Sequence, residues 1–239
     1  MKTATFFKLI SMLLTLPFVF SSCSEREDIG PYQAGNRTFN LSGFDKLQMG
    51  DAFRIQVRQG GEFSLRATGD RRNLDDLDVY VSNGQLVARY RRPRGNRQYE
   101  TEFEIVMPTL TAADFSGASR STITGFSGEE LVVTLSGASR ANVDARADRG
   151  QINLSGASKM TLSGNFKRLI AGASGASELQ AFDAPADEAD ADASGASELR
   201  ITATNRLSAT ASGASNIRYR GNPTRLQMNA TGASSIRKE

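Results

Sequence analysis

The sequence predicts an all-β protein: a right-handed parallel β-helix with coils of about 19 residues, continued or capped by an N-terminal β region. Three observations carry this expectation. Seven near-identical tetrapeptides recur, Ser-Gly-Ala-Ser at Ser116, Ser136, Ser155, Ser174, Ser194 and Ser212 and Thr-Gly-Ala-Ser at Thr231, at intervals of 20, 19, 19, 20, 18 and 19 residues. A self-similar period of this length marks a solenoid, whose units bury a core only by stacking. The flanking residues alternate apolar and polar with the period of a strand. A coil this short cannot hold a helix and two strands, but it holds short strands with tight corners, stacked roughly 4.8 Å apart. The right hand is that of nearly all crossovers between parallel strands.

Residues 1–22 read as a lipoprotein signal peptide. Lys2 and Lys8 precede an apolar run from Leu9 to Phe20, and Ser21-Ser22-Cys23 follows, the order of charged, apolar and small regions in a secretory signal. The run is too short for a transmembrane helix, which needs roughly 20 residues. Cys23 is the only cysteine, so no intramolecular disulfide forms. Its place directly after the apolar core resembles the lipobox of bacterial lipoproteins, whose cysteine is lipidated, with palmitate among its acyl chains, and begins the mature chain. The competing reading is an ordinary signal with an incidental cysteine. Glu25, Glu27 and Asp28 resemble the acidic export signal of some outer-membrane lipoproteins. The expected location is therefore the outer membrane, held by a lipid on Cys23 and facing the periplasm or the exterior.

Charge narrows the partners. Without residues 1–22, which carry Lys2 and Lys8, 27 basic residues stand against 26 acidic ones, so the basic pI is no argument for nucleic acid. With no histidine and one cysteine, the usual zinc, copper and haem ligand sets are missing, as is any Ser-His-Asp triad. No cofactor or metal is expected.

Residues 23–36, with Gly30, Pro31 and Gly35, have the composition of a flexible tether. The N-terminal β region, 37–110, follows. Phe53, Ile55 and Val57 alternate with polar residues before Gly60-Gly61, and Phe63, Leu65 and Ala67 do so after it. Val79 and Val81 lead through Ser82-Asn83-Gly84 to Leu86, Ala88 and Tyr90, a strong hairpin signal. Phe103, Ile105 and Met107 form another strand, and Asp70 to Asp78 supplies at most one helical turn.

The coils occupy 111–239. Aligned on the first Ser or Thr of each tetrapeptide, the positions one and three before it and five and seven after it are mostly apolar, as in Leu154, Ile152, Met160 and Leu162. One parity in a strand is one face. The opposite parity, four after, reads Arg120, Arg140, Lys159, Glu178, Glu198, Asn216 and Ser235, a solvent face. The tetrapeptides are expected to be corners: Gly117 and Ser119, Gly137 and Ser139, Gly156 and Ser158, Gly175 and Ser177, Gly195 and Ser197, Gly213 and Ser215, and Gly232 and Ser234. Both residues of each pair share the inward parity. The apolar columns shift from Leu, Val and Ile to Ala along the stack, which predicts a narrowing core.

Candidate chemistry is sparse. Gly172-Ala173-Ser174-Gly175-Ala176 superficially resembles a nucleophile elbow, but it lacks the final glycine and a histidine base, and a corner explains every copy. Asp183, Asp187, Glu188, Asp190 and Asp192 form an acidic segment read as a solvated loop between coils. Calcium binding or glycoside cleavage is the sharper alternative. Arg89, Arg91, Arg92, Arg94 and Arg97 surround Pro93 and Gly95; they read as a charged hairpin tip or as a contact for phosphate or anionic glycan. Thr134, Asn153, Thr210 and Asn229 lie outward beside the corners, a polar face for a glycan or surface protein or simply the product of stacking. The last coil lacks an obvious cap, and an open sheet edge invites pairing, so a homo-oligomer through this end is a further expectation.

From about Phe39 to the C-terminus the chain resembles the bacterial family called putative auto-transporter adhesin, head GIN domain. The resemblance is carried by Phe44-Asp45-Lys46-Leu47, by Phe53 to Gly60, by Leu74 to Leu77 with Val79 and Asn83-Gly84-Gln85-Leu86, and by the Ser-Gly-Ala-Ser coils. Gly-Ile-Asn itself is not present as a tripeptide, the nearest match being Gly150-Gln151-Ile152-Asn153. The resemblance implies a β-helical, lipid-anchored or secreted protein and supplies no catalytic residues. The expected function is a non-enzymatic cell-envelope lipoprotein that presents an adhesive or scaffolding surface. The alternative is a carbohydrate-active β-helix enzyme acting on a cell-surface or acidic polysaccharide.

Overall fold

The computed structural model describes residues 30–92 and 97–239, and they wind into a β-solenoid of about 7 turns. In chain order the N-terminal region holds β1 (Ala34–Thr38), β2 (Lys46–Met49), β3 (Arg54–Gln59), β4 (Ser64–Asp70), helix α1 (Arg71–Asp75), β5 (Leu77–Ser82), β6 (Gln85–Tyr90), β7 (Glu102–Met107) and β8 (Ala112–Phe115). The coils follow as β9 (Arg120–Leu135), β10 (Arg140–Leu154), β11 (Lys159–Ala173), β12 (Glu178–Ala193) and β13 (Glu198–Ala211). Shorter strands β14 (Asn216–Arg220), β15 (Arg225–Ala230) and β16 (Ser235–Lys238) complete the stack.

Each full coil is one long bent strand between two tetrapeptide corners. In β10 inward and outward residues alternate from Arg140 to Ala147, then Asp148 and Arg149 both face solvent, and the alternation resumes one residue out of phase through Leu154. The double exposure marks the bend, since a strand that turns its face must break the period of two. Neighbouring coils pair in parallel register, Arg140 with Lys159 and Leu154 with Ala173. Side-chain size is matched between rungs. Phe166 is buried between Ala147 and Ala186 of the adjoining coils, and a Cβ on Gly150 would come within 2.7 Å of its ring. Ala171, Ala173, Ala191 and Ala193 line one wall, while Leu169, Leu179, Leu199 and Leu207 keep large side chains buried on others. The shift to alanine seen in the sequence is thus local to columns.

The corners are tight turns closed by their second serine. Ser158 Oγ donates to the Ser155 carbonyl at 2.8 Å, and Ser139, Ser177 and Ser215 repeat the bond at the same length. The serines at 119, 139, 158, 177, 197 and 215 are buried. The glycines are not: they lie exposed, against the expectation that both residues face inward. The reason is backbone geometry. At Gly156 φ is +74°, and a Cβ would stand 2.4 Å from the carbonyl oxygen of Gly137 in the coil below. That carbonyl accepts from Ala157 N at 2.7 Å, so glycine allows close stacking of corner on corner rather than filling the core.

Space order and chain order part at the N-terminal end. The β2–β3 coil lies between the β6–β7 coil and the β8–β9 coil, because β2 pairs with both β6 and β8 and β3 with both β7 and β9. Its corner is Gly50-Asp51-Ala52-Phe53, aligned with Ser116 to Ser119 and holding Asp51 and Ala52 at φ 59° and 62°. β3 and β4, separated by Gly60-Gly61, do not pair with each other; β7 runs between them. β5 and β6 do form the expected antiparallel hairpin through Asn83-Gly84, both at positive φ. Antiparallel β1, β4 and β5 end the stack, and α1 covers the core with Leu74. At the other end, among the described residues, no strand lies beyond β15 and β16, and Leu226 and Met228 stand 45% and 48% exposed.

Candidate functional site

The register brings four cations from four strands into one outward column. Arg54 of β3 lies beside Arg120 of β9, which lies beside Arg140 of β10 and then Lys159 of β11. A second outward column two residues on holds Gln56, Thr122, Asn142 and Thr161. Together they line an open depression of about 520 Å³. Like charges directly opposite one another on a sheet repel, so compensation matters, and it comes from the two ends. The Glu100 carboxylate bridges Arg54, whose Nη2 donates at 2.7 Å, and Arg120, whose Nη1 donates at 2.8 Å. Glu100 accordingly raises the Arg54 pKa. At the far end Lys159 Nζ donates to Glu178 at 2.8 Å, and this ammonium, with the Gln180 amide, holds the Glu178 carboxyl below its usual range. The Arg140 backbone N donates to the Ser119 carbonyl at 2.8 Å, but its guanidinium, at the centre of the column, has neither a hydrogen-bond nor an ion-pair partner among the described residues.

The N-terminal arginines are spread over different tasks. After β6, Arg92 and Arg97 reach back to Asp76 at the C-terminal end of α1. Arg97 pairs with Asp76 and lies over the Tyr90 ring, 3.5 Å from its centroid; Arg92 Nε adds a bond to the same carboxylate at 3.2 Å. Burial pushes the Asp76 carboxyl up, and the bonds from Arg97 and Arg92 more than offset it, leaving its pKa lowered. Asp70 caps α1, accepting from Arg72 N at 3.0 Å, and takes both Nε and Nη2 of Arg72 at 2.7 Å. The Arg72 fork holds the Asp70 carboxyl well below the usual carboxylate range. Arg89 pairs with Asp78 at 3.1 Å and stands 5.8 Å from the Tyr80 ring centroid; Arg91 is exposed beside it. Arg94 and Cys23 lie outside the described residues.

The acidic segment is not a loop. Asp183 to Asp192 run inside β12, with Ala184, Ala186, Ala189 and Ala191 facing the core between them. The alanines keep the strand period, which the density of charge in the sequence obscures. Asp190 takes Arg168 Nη2 at 2.7 Å and Arg206 Nη2 at 2.6 Å, while Glu188 takes Arg206 and Arg225 at 3.3 Å. Among the described residues, no three carboxylates, histidines or cysteines gather as a metal-holding group. Thr134, Asn153, Gly172, Asp192, Thr210 and Asn229 form one outward column beside the corners.

Sequence reading placed Arg120, Arg140 and Lys159 on a solvent face but did not bring Arg54 and Glu100 to them. The signal was a shared outward parity; the missing part was the insertion of β3 between β7 and β9.

Fold and surface together define a β-solenoid that presents register-locked polar ladders, with each face shallow and open. A family model described as putative auto-transporter adhesin, head GIN domain, matches residues 43–223. The chain belongs to that family. It is similar in structure to a putative adhesin of Bacteroides fragilis NCTC 9343, at 20% identity and a TM-score of 0.78, over 87% of this chain and 97% of that one. A putative adhesin of Parabacteroides distasonis ATCC 8503 aligns at 16% identity and 0.71, over 88% and 98%. A putative lipid binding protein from the same organism aligns at 19% identity and 0.67, over 87% and 97%. A comparison with curated proteins finds no match.

Proposed function

We propose that this chain is a non-enzymatic lipoprotein of the cell envelope, anchored in the outer membrane through Cys23, whose solenoid serves as an adhesive surface. The observation that carries the reading is the ladder of Arg54, Arg120, Arg140 and Lys159, fixed by backbone register to one outward face. A rigid sheet that repeats side chains at the coil spacing suits contact with an extended polymer or another surface, whereas small-molecule chemistry is usually housed in an enclosed cleft. Membership of a family named for adhesion agrees with it. The carbohydrate-active alternative needs free paired carboxylates, and Glu188 and Asp190 are engaged by arginines.

The test is made in cells carrying the full chain or its Cys23→Ala variant. The wild type is expected to incorporate a palmitate analogue, to fractionate with the outer membrane and to raise cell adhesion to polysaccharide-coated wells. All three should be lost with Cys23→Ala. Labelling that survives the substitution removes the anchor, and adhesion equal to that of cells lacking the chain removes the adhesive role.

A further inference from the structure

We infer that the centre of the basic ladder is a binding site for one anionic group of an acidic polysaccharide, received by Arg140 between Arg120 and Lys159. The inference rests on the adhesive reading above and names what the surface takes. The flanking cations are already committed outward along the column: Arg120 to Glu100 on one side and Lys159 to Glu178 on the other. These two bonds hold the outer cations apart at the ends of a three-rung cradle and leave the middle guanidinium without a counter-ion. A planar guanidinium offers two parallel donors to a carboxylate or sulfate, so an anion there gains a bidentate partner and two cationic neighbours.

The surroundings of Arg140 decide which polymer fits. On the same face stand Thr122, Asn142 and Thr161, supplying hydroxyl and amide groups of the kind that pair with sugar hydroxyls. The depression has no aromatic side chain among its lining residues, and single-stranded nucleic acids are held largely by stacking on such rings. Glu100 and Glu178 close the two ends. A backbone with a phosphate at every step would meet those carboxylates, while a sugar chain charged only at intervals places one anion in the cradle and neutral hydroxyls over its rims. An acidic glycan is therefore the partner that the charge pattern accepts.

Affinity measurements on the full-length chain test this with polygalacturonate left charged only at intervals by partial methyl esterification, with its fully methyl-esterified form and with an oligothymidylate as probes. The partly charged polygalacturonate is expected to bind, more weakly as salt rises, and the fully esterified polymer, with the same backbone and no charge, to lose at least tenfold. Arg140→Gln should weaken polygalacturonate binding at least tenfold with its melting temperature unchanged. Arg146→Gln, further along the same strand beside Ser127 and Asn165 and outside the residues that line the depression, should stay within twofold of the wild type. The inference falls if the wild type does not bind polygalacturonate, if Arg140→Gln stays within twofold, or if both variants weaken alike. It falls equally if the fully esterified polymer binds as well, or if the oligothymidylate displaces the glycan at equal charge. Cells displaying Arg140→Gln separate this failure from that of the broader reading: adhesion that still depends on Cys23 leaves the adhesive surface standing without this site.

Discussion

Replacing Gly156 by alanine tests the corner stack most directly. The residue sits at φ +74°, a left-handed conformation that costs a side-chain-bearing residue roughly 1–2 kcal/mol. The added Cβ would lie 2.4 Å from the Gly137 carbonyl oxygen, and that oxygen belongs to the backbone of the next coil. Relief requires the two corners to separate, which stretches the 2.7 Å bond from Ala157 N to Gly137 O, worth about 1 kcal/mol. The expected loss is about 2–3 kcal/mol, a fall of about 1 M or more in the urea midpoint for ordinary slopes. The close approach loosens toward the open end, to 2.7 Å at Gly195 and 2.9 Å at Gly232, so alanine should cost less at each in turn. Gly128 has no atom within 4 Å of a built Cβ and no positive φ; alanine there should be neutral or stabilising by up to about 1 kcal/mol. Urea unfolding followed by circular dichroism measures all four. A Gly156→Ala protein within about 0.5 kcal/mol of the wild type, or a Gly128→Ala protein equally damaged, would refute the stacking argument.

Three further outcomes follow from the same geometry. Ser158→Ala removes the donor that closes its corner on the Ser155 carbonyl and should cost about 1–3 kcal/mol, read from the same urea curves. Leu207 and Leu226 are adjacent rungs of one column, the first fully buried and the second 45% exposed. Leu207→Ala should lose about 2–5 kcal/mol and Leu226→Ala under about 1 kcal/mol, and equal losses would show that the last coil is covered. The Asp70 carboxyl is more acidic in the folded chain than in the unfolded one, chiefly through Arg72, so the unfolded state binds its proton first. Its contribution is complete above the ordinary aspartate pKa of about 4 and fades as pH falls below that value. Asp70→Asn should therefore flatten the acid limb of a pH–stability curve, and an unchanged limb would show that Asp70 does not contribute to it.

The repeating half of the molecule was legible because its rule is local. Leu154, Ile152, Met160 and Leu162 share a parity across one corner, and between one bend of a parallel solenoid and the next parity decides which side chains meet the core. The same rule put Arg120, Arg140 and Lys159 outside. Where a rule of parity does not suffice, the reading failed for identifiable reasons. The corner glycine has no side chain, so its parity says nothing, and its role emerges only when the corner of the next coil lies 2.4 Å from a built Cβ. The charged residues of β12 looked like a loop because acidic runs usually are, but Ala184, Ala186 and Ala189 among them bury, and arginines of neighbouring coils neutralise Glu188 and Asp190.

The sequence by itself determined the coil, its length and its inner and outer faces, because a strand's alternation and a fixed period need no knowledge of distant residues. Only the tertiary structure decided the order of the first coils, with β3 seated between β7 and β9, since that order is set by how the antiparallel strands and α1 close the end of the core. That placement carries Arg54 and Glu100 to Arg120, and with them the compensated ends that leave Arg140 open. Pairing across dozens of residues is a property of the assembled sheet, and no local pattern encodes it.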